Sequence, residues 1–145
     1  MSNYKFNATN LIAKTFEEEG VHFNVVSRET EALETVFGVN GGPKVILRFI
    51  SRNNDNDVAA RIYGLITSIP ESKRVRVMEV CNTLNARKRF VKFYIDTHGD
   101  VNVEYDFPLS CSDSCLGEMA YEVLLRMAHI LDEEYAVLMR ALYAE

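Results

Sequence analysis

Cys111 and Cys115, with three residues between them and Ser110, Ser112 and Ser114 around them, have the look of half a structural zinc site. Such a site needs four ligands. Cys81 falls on an apolar helical face, and His22, His98 and His129 are scattered along the chain. The segment reads better as a serine-rich helix cap. No motif ties a histidine to a cysteine, and no Gly-x-Ser-x-Gly nucleophile turn occurs. The string Asn53-Asn54-Asp55-Asn56-Asp57 offers alternating oxygen ligands for calcium. A calcium loop begun there would want glycine sixth and glutamate twelfth, where Val58 and Gly64 stand, so the string reads as a hairpin turn. Gly41-Gly42 precedes a strand rather than a helix, which removes a phosphate-cradling loop. No catalytic residue, metal or cofactor is expected.

Two polar features remain. Asn82 and Asn85 lie in a helical stretch, where asparagine is a poor choice unless it bonds something locally. The plain reading has Asn85 helping to end the helix and Asn82 bonding the adjoining backbone; a ligand-recognising pair is the alternative. Residues 73–92 carry seven bases against one acid, and residues 93–145 carry eleven acids against two bases. Complementary patches of this kind suit self-association or the steering of a charged partner, against the plainer reading of a solvated face. Phe90 and Tyr94 beside the bases suggest single-stranded nucleic acid. The net charge of −5 and the lack of a nucleic-acid motif disfavour it.

The elements that must position these residues follow from periodicity. Residues 9–19 predict a short helix with Leu11, Ile12 and Phe16 on one side and Gly20 as its stop. From Val21 to about Ile66 the pattern is of strands, with Val45–Ile50 the most β-rich, which predicts consecutive antiparallel hairpins. Ser68-Ile69-Pro70-Glu71 predicts a helix start, with Ser68 as the cap and Glu71 reaching back. Val77, Val80, Cys81 and Leu84 form its buried face, and Arg87, Lys88 and Arg89 suit its C-terminal dipole.

Val91, Phe93 and Ile95, then Val101, Val103, Tyr105 and Phe107, alternate with polar residues around a Thr97–Asp100 turn, and Pro108 closes this hairpin. The alternation places Val103 in the core and Asn102 outside. A long helix from about Ser114 to Tyr143 follows, with Asp132-Glu133-Glu134 as a candidate break. Leu116, Met119, Ala120, Val123, Met127, Ile130 and Leu131 form its docking stripe. Tyr121, Leu125 and Ala128 form a second seam, expected to bind a partner. The order helix–strands–helix–hairpin–helix is that of one α+β domain over residues 1–145, an antiparallel sheet packed against helices.

Within this frame, Asn82-Thr83-Leu84-Asn85, Arg89-Phe90-Val91-Lys92-Phe93-Tyr94, Gly99-Asp100-Val101 and Tyr105-Asp106-Phe107-Pro108 resemble the middle of a YbjN-family domain. Gly117-Glu118, Asp132-Glu133-Glu134-Tyr135 and Leu138-Met139-Arg140 resemble its terminal helix, so the likeness covers roughly residues 70–143. That family is labelled a bacterial sensory-transduction regulator. Its members resemble type III secretion chaperones in fold, and those are small, acidic, dimeric and non-enzymatic. The resemblance implies a binding scaffold and carries no catalytic residues with it.

The expectation is a non-enzymatic protein-binding module, chaperone-like or regulatory, acting as a homodimer with a protein client. The alternative is a small-molecule sensor or an enzyme with a pocket near Asn82 and Asn85. No apolar run approaches the ~20 residues of a membrane span. The opening Met1–Phe6 has no apolar signal core, and three cysteines make no disulfide framework, so a cytoplasmic location is expected.

Overall fold

The first helix, α1, spans Asn7–Glu18 and buries Ala8, Ile12, Ala13 and Phe16 along one side. No side chain of its own caps its start. The carboxylate of Glu31, buried on the neighbouring strand, instead accepts from the Lys5 and Phe6 N–H groups at 2.9 and 2.7 Å. An anion there satisfies the donors at the helix entrance and complements the helix dipole. Gly20 ends the helix in the left-handed region, which lets the Val21 N–H turn back to the Phe16 carbonyl at 2.8 Å.

The computed structural model describes residues 4–51, 58–107 and 114–144. After α1 come β1 (Asn24–Ser27), β2 (Glu31–Gly38), β3 (Lys44–Ser51) and β4 (Val58–Ile66). Helix α2 (Glu71–Arg87), β5 (Val91–Ile95), β6 (Val101–Phe107) and α3 (Leu116–Tyr143) complete the chain. The six strands form one antiparallel sheet in the order β1-β2-β3-β4-β6-β5, so all four early strands are paired and the last hairpin inserts with β6 beside β4. This is an α+β fold. Alternate residues of the strands, Leu33, Leu47, Phe49, Ala60, Ile62, Phe93 and Val103 among them, join the helices in one core. The Phe16 ring meets Phe49 edge-on with centroids 5.7 Å apart, which seats α1 on the sheet.

Four local expectations are corrected. Ser68 does not cap α2. It lies in the left-handed region three residues before the helix, and its N–H donates to Asp100 Oδ1 at 2.9 Å. The entrance of α2 is thereby tied to the β5–β6 turn, and Ile69 N–H reinforces it through the Gly99 carbonyl at 2.9 Å. Helix α3 is unbroken. The carboxylates of Asp132, Glu133 and Glu134 point to partners outside the helix (Asn40 N–H, Lys88 and Arg87), so they do not compete with its backbone.

The docking stripe of α3 is the third correction: Met119 is exposed, while Leu124 is buried beside Leu116, Ala120, Val123, Met127 and Leu131. The helix lies along both α1 and α2, and two neighbours require a wider apolar face than a single stripe. It approaches α1 closely at Gly117, where an added Cβ would fall 2.1 Å from Thr15 Oγ1 and 2.6 Å from the Leu11 carbonyl oxygen. Among the described residues Cys115, not a serine, directly precedes the helix, and its own side chain does not cap it.

Asn102 is the fourth. Alternation turns it outward, yet it is only 4% exposed. Strand β4 bulges between Ile62 and Ile66 around Gly64, whose φ is +69°. The N–H that the bulge frees donates to Asn102 Oδ1 at 2.8 Å, and Asn102 Nδ2 donates to Asp96 Oδ2 at 2.9 Å. Val103 is fully buried, as its place in the alternation requires.

Candidate functional site

The strands that bury Leu33, Leu47, Ile62, Val103 and Phe93 turn the residues between them to the other side of the sheet. In register across five strands stand Glu34 on β2, Arg48 on β3, Arg61 on β4, Glu104 on β6 and Lys92 on β5. Glu34 Oε2 accepts from Arg48 Nε at 2.8 Å. Glu104 holds Arg61 Nε at 3.3 Å and Lys92 Nζ at 2.9 Å on its two oxygens. Asp106 engages the Arg61 guanidinium with both of its oxygens. Arg48 and Arg61 face each other as like charges, and each is neutralised by carboxylates on its far side.

Burial works against the Arg61 charge. The Asp106 hydrogen bond, together with the nearby charges of Asp106 and Glu104, outweighs it and raises its pKa above the ordinary arginine value. The hydrogen bond to Glu104 likewise raises that of Lys92. These are paired, permanently charged groups, fitted for recognition rather than for proton transfer.

Apolar residues flank the charged row. On one side Val36, 59% exposed, lies in register with Ile46, and Tyr63 is half exposed under the Arg48 guanidinium, 5.7 Å from its ring centroid. On the other side Ala32, Ile50 and Ala59 stand in register and partly buried. The result is a broad surface of mixed character opposite the helices.

The family model for YbjN, described as a putative bacterial sensory transduction regulator, matches residues 9–128. That is well over half of the chain. The chain belongs to the YbjN family. The match begins far ahead of residue 70, so the first four strands are part of the YbjN pattern, while the segment from Asp132 to Arg140 lies beyond it. No curated protein matches the chain.

In this YbjN domain Asn85 has a definite task. Its Oδ1 accepts from the Phe93 N–H at 2.7 Å and its Nδ2 donates to the Phe93 carbonyl at 2.9 Å. A side-chain amide thus pairs with the outer edge of β5 as a neighbouring strand would, and it neither ends the helix nor stands open to a ligand. Asn82, three residues earlier, is exposed on α2. The second seam of α3 is divided. Leu125 is 49% exposed, but Tyr121 meets the Phe16 ring with centroids 6.4 Å apart and Ala128 is half-buried.

Part of the charge asymmetry along the chain is met within the fold: Arg87 pairs with the buried Glu134, and Lys88 with Glu133 and Glu134. The Lys88 bond keeps the Glu133 carboxyl below its ordinary pKa. His129 Nε2 lies 2.8 Å from Glu133 on the same helix, while His22 and His98 are exposed elsewhere. Cys81 is buried, and that burial pushes its thiol up to about 11; Cys115 is exposed. Cys111, its serine neighbours Ser110 and Ser112, Pro108 and the Asn53–Asp57 string lie outside the described residues. Among the described residues no three His, Cys, Asp or Glu side chains are gathered to hold a metal, and no helix is long and apolar enough to cross a membrane.

Sequence reasoning missed the open sheet face. A signal was present: Val45-Ile46-Leu47-Arg48-Phe49-Ile50 is apolar at both parities, which a sheet covered on one side does not need.

Proposed function

We propose that this YbjN-family domain is a non-enzymatic, cytoplasmic protein-binding module, chaperone-like or regulatory, that acts as a homodimer. The observation that carries the reading is the sheet face that no described helix covers, where Val36, Ile46 and Tyr63 meet water beside a row of mutually paired charges. Contiguous exposed apolar surface with a polar margin marks an interaction site. The family description as a regulator of sensory transduction points the same way. The sensor alternative built on Asn82 and Asn85 loses its support, because both polar ends of the Asn85 amide are committed to Phe93.

Light scattering after size exclusion is expected to give twice the monomer mass. Affinity capture with mass spectrometry is expected to return one protein client at fixed stoichiometry. Leu125→Glu tests whether α3 takes part: circular dichroism should be unchanged while capture of that client weakens. A co-purified metabolite in place of a protein, with a monomeric mass, would overturn the reading.

A further inference from the structure

We infer that the groove between the Val39–Pro43 turn, which joins β2 to β3, and the last turns of α3 binds the carboxyl end of a polypeptide whose final residue is apolar. It is a second surface, apart from the open sheet face, and stands or falls separately from the reading above. The groove is open and offers about 360 Å³, toward the lower end of the range for ligand sites. Its floor is Tyr135, Ala136, Met139 and Tyr143, which succeed one another along the outer side of α3. Tyr143 is 75% exposed.

The groove is built before any ligand arrives. Gly42 lies flat against the Tyr135 ring, where an added Cβ would fall 2.8 Å from Cε2. The Asn40 N–H donates to Asp132 Oδ1 at 2.8 Å, so the turn is fastened to the helix. The Lys73 ammonium donates to the Ala144 carbonyl and ties down the end of α3. Walls held in this way lower the ordering cost of binding.

Polarity selects what fits. Among the described residues Arg140 has no carboxylate partner, whereas Arg126 on the same helix and Arg87 and Lys88 beside it each have one. The Gly41 N–H, in a turn residue with φ of +69°, also has no partner among the described residues, although the N–H groups on either side of it are used. No acid lines the groove. An apolar floor edged by free donors complements a group that is apolar and anionic at once.

The donors stand on two walls. At 100° per residue Arg140 lies about 140° around α3 from Tyr135, the residue that meets the turn. A free aliphatic or aromatic acid carries a single acceptor group and reaches one wall. A chain end carries its carboxylate for Arg140 and, behind it, peptide carbonyls for the Gly41 N–H, with the last side chain between them on the tyrosines. Leu125, Ala136 and Tyr143 fall on one line of α3, so a chain leaving the groove along the helix meets the exposed Leu125 roughly 16 Å on.

The test titrates the full ¹⁵N-labelled chain at low salt with four probes. These are acetyl-Gly-Leu-Phe with a free carboxylate, the same peptide as its amide, acetyl-Glu-Leu-Phe amide, and phenylpropionate. The free-carboxylate peptide is expected to shift the Gly41 amide and Arg140 Nε–H signals and to bind about tenfold or more tightly than each of the others. Arg140→Gln is expected to bind that peptide about tenfold more weakly and to lose the preference for acid over amide. Tyr143→Ala should weaken acid and amide alike, several-fold, and leave their ratio unchanged. Both side chains are exposed, so the fold should hold, which circular dichroism checks, and the acid–amide comparison on the wild-type chain needs no variant. Equal affinity for acid and amide, or a preference for the acid that survives Arg140→Gln, overturns the assignment. So does phenylpropionate or the glutamate peptide binding as tightly as the chain end, or no shift at Gly41 by about 5 mM. These outcomes leave light scattering and client capture, the tests of the protein-binding reading, untouched.

Discussion

The two faces of the sheet share a backbone and differ in what a residue is worth. On the inner face Phe49 and Val103 are sealed beneath helices, so identity and volume matter at each position. On the outer face Arg48 and Lys92 keep contact with water, and exposed ion pairs contribute only about 0–1 kcal/mol each. Residues adjacent in sequence, such as Val103 and Glu104, therefore answer to different selective demands. The inner face specifies the fold; the outer face is free to specify a partner.

The sharpest way to break that contrast is Val103→Lys, which buries an unpaired charge and is expected to cost about 3–5 kcal/mol or prevent folding, read as the urea midpoint. The neighbouring Asn102 tests whether the outer face is uniformly tolerant. It is not expected to be, because Asn102→Leu strands the Gly64 N–H and removes one of the donors to the Asp96 carboxylate, and should cost about 1–3 kcal/mol in the same assay. Next in size is Asn85→Ala, expected to lose about 1–2 kcal/mol and to speed hydrogen exchange at the Phe93 amide, with Asn82→Ala inside ~0.5 kcal/mol.

The smallest effect is a pH dependence at the β5–β6 turn. Asp96 accepts from the Asp100 N–H, from Asn102 and from the His98 N–H, which hold its carboxyl below the ordinary value. A depressed folded pKa gives stability that is complete above the ordinary carboxylate range and is lost as the pH falls through the folded value. The difference in urea midpoint between wild type and Asp96→Asn should accordingly shrink on acidification. A difference that widened in acid would mean the carboxylate is not what orders the turn.

Much of this architecture was legible from spacing. The hairpin of β5 and β6, the buried Cys81 and the length of α3 follow from local periodicity, which each segment carries by itself. What escaped depends on a second segment. Asn102 is buried because β4 bulges opposite it, and nothing in β6 announces that bulge. Ser68 resembles a cap, but Asp100 takes its N–H and draws the backbone out of capping position. Asn85 looks like a helix terminator until β5 is placed beside it. The open face, the candidate site itself, was half legible: apolar residues at both parities of β3 were visible, but the charged row exists only once five registers are known.

The amide of Asn85 on Phe93 bears also on how far this molecule could assemble through its strand edges. Sheets grow end to end only when each unit offers two open edges, as a bead needs two hooks to join a chain. Here the β5 edge is occupied at Phe93 by Asn85, and the Val91 N–H is turned back to the Arg89 carbonyl at 2.8 Å. Among the described strands the four-residue β1 forms the opposite edge. A unit with one usable hook forms a pair and stops, so the valence of the strand edges is one, and the Asn85 amide together with the turn-back at Val91 stands between that valence and two.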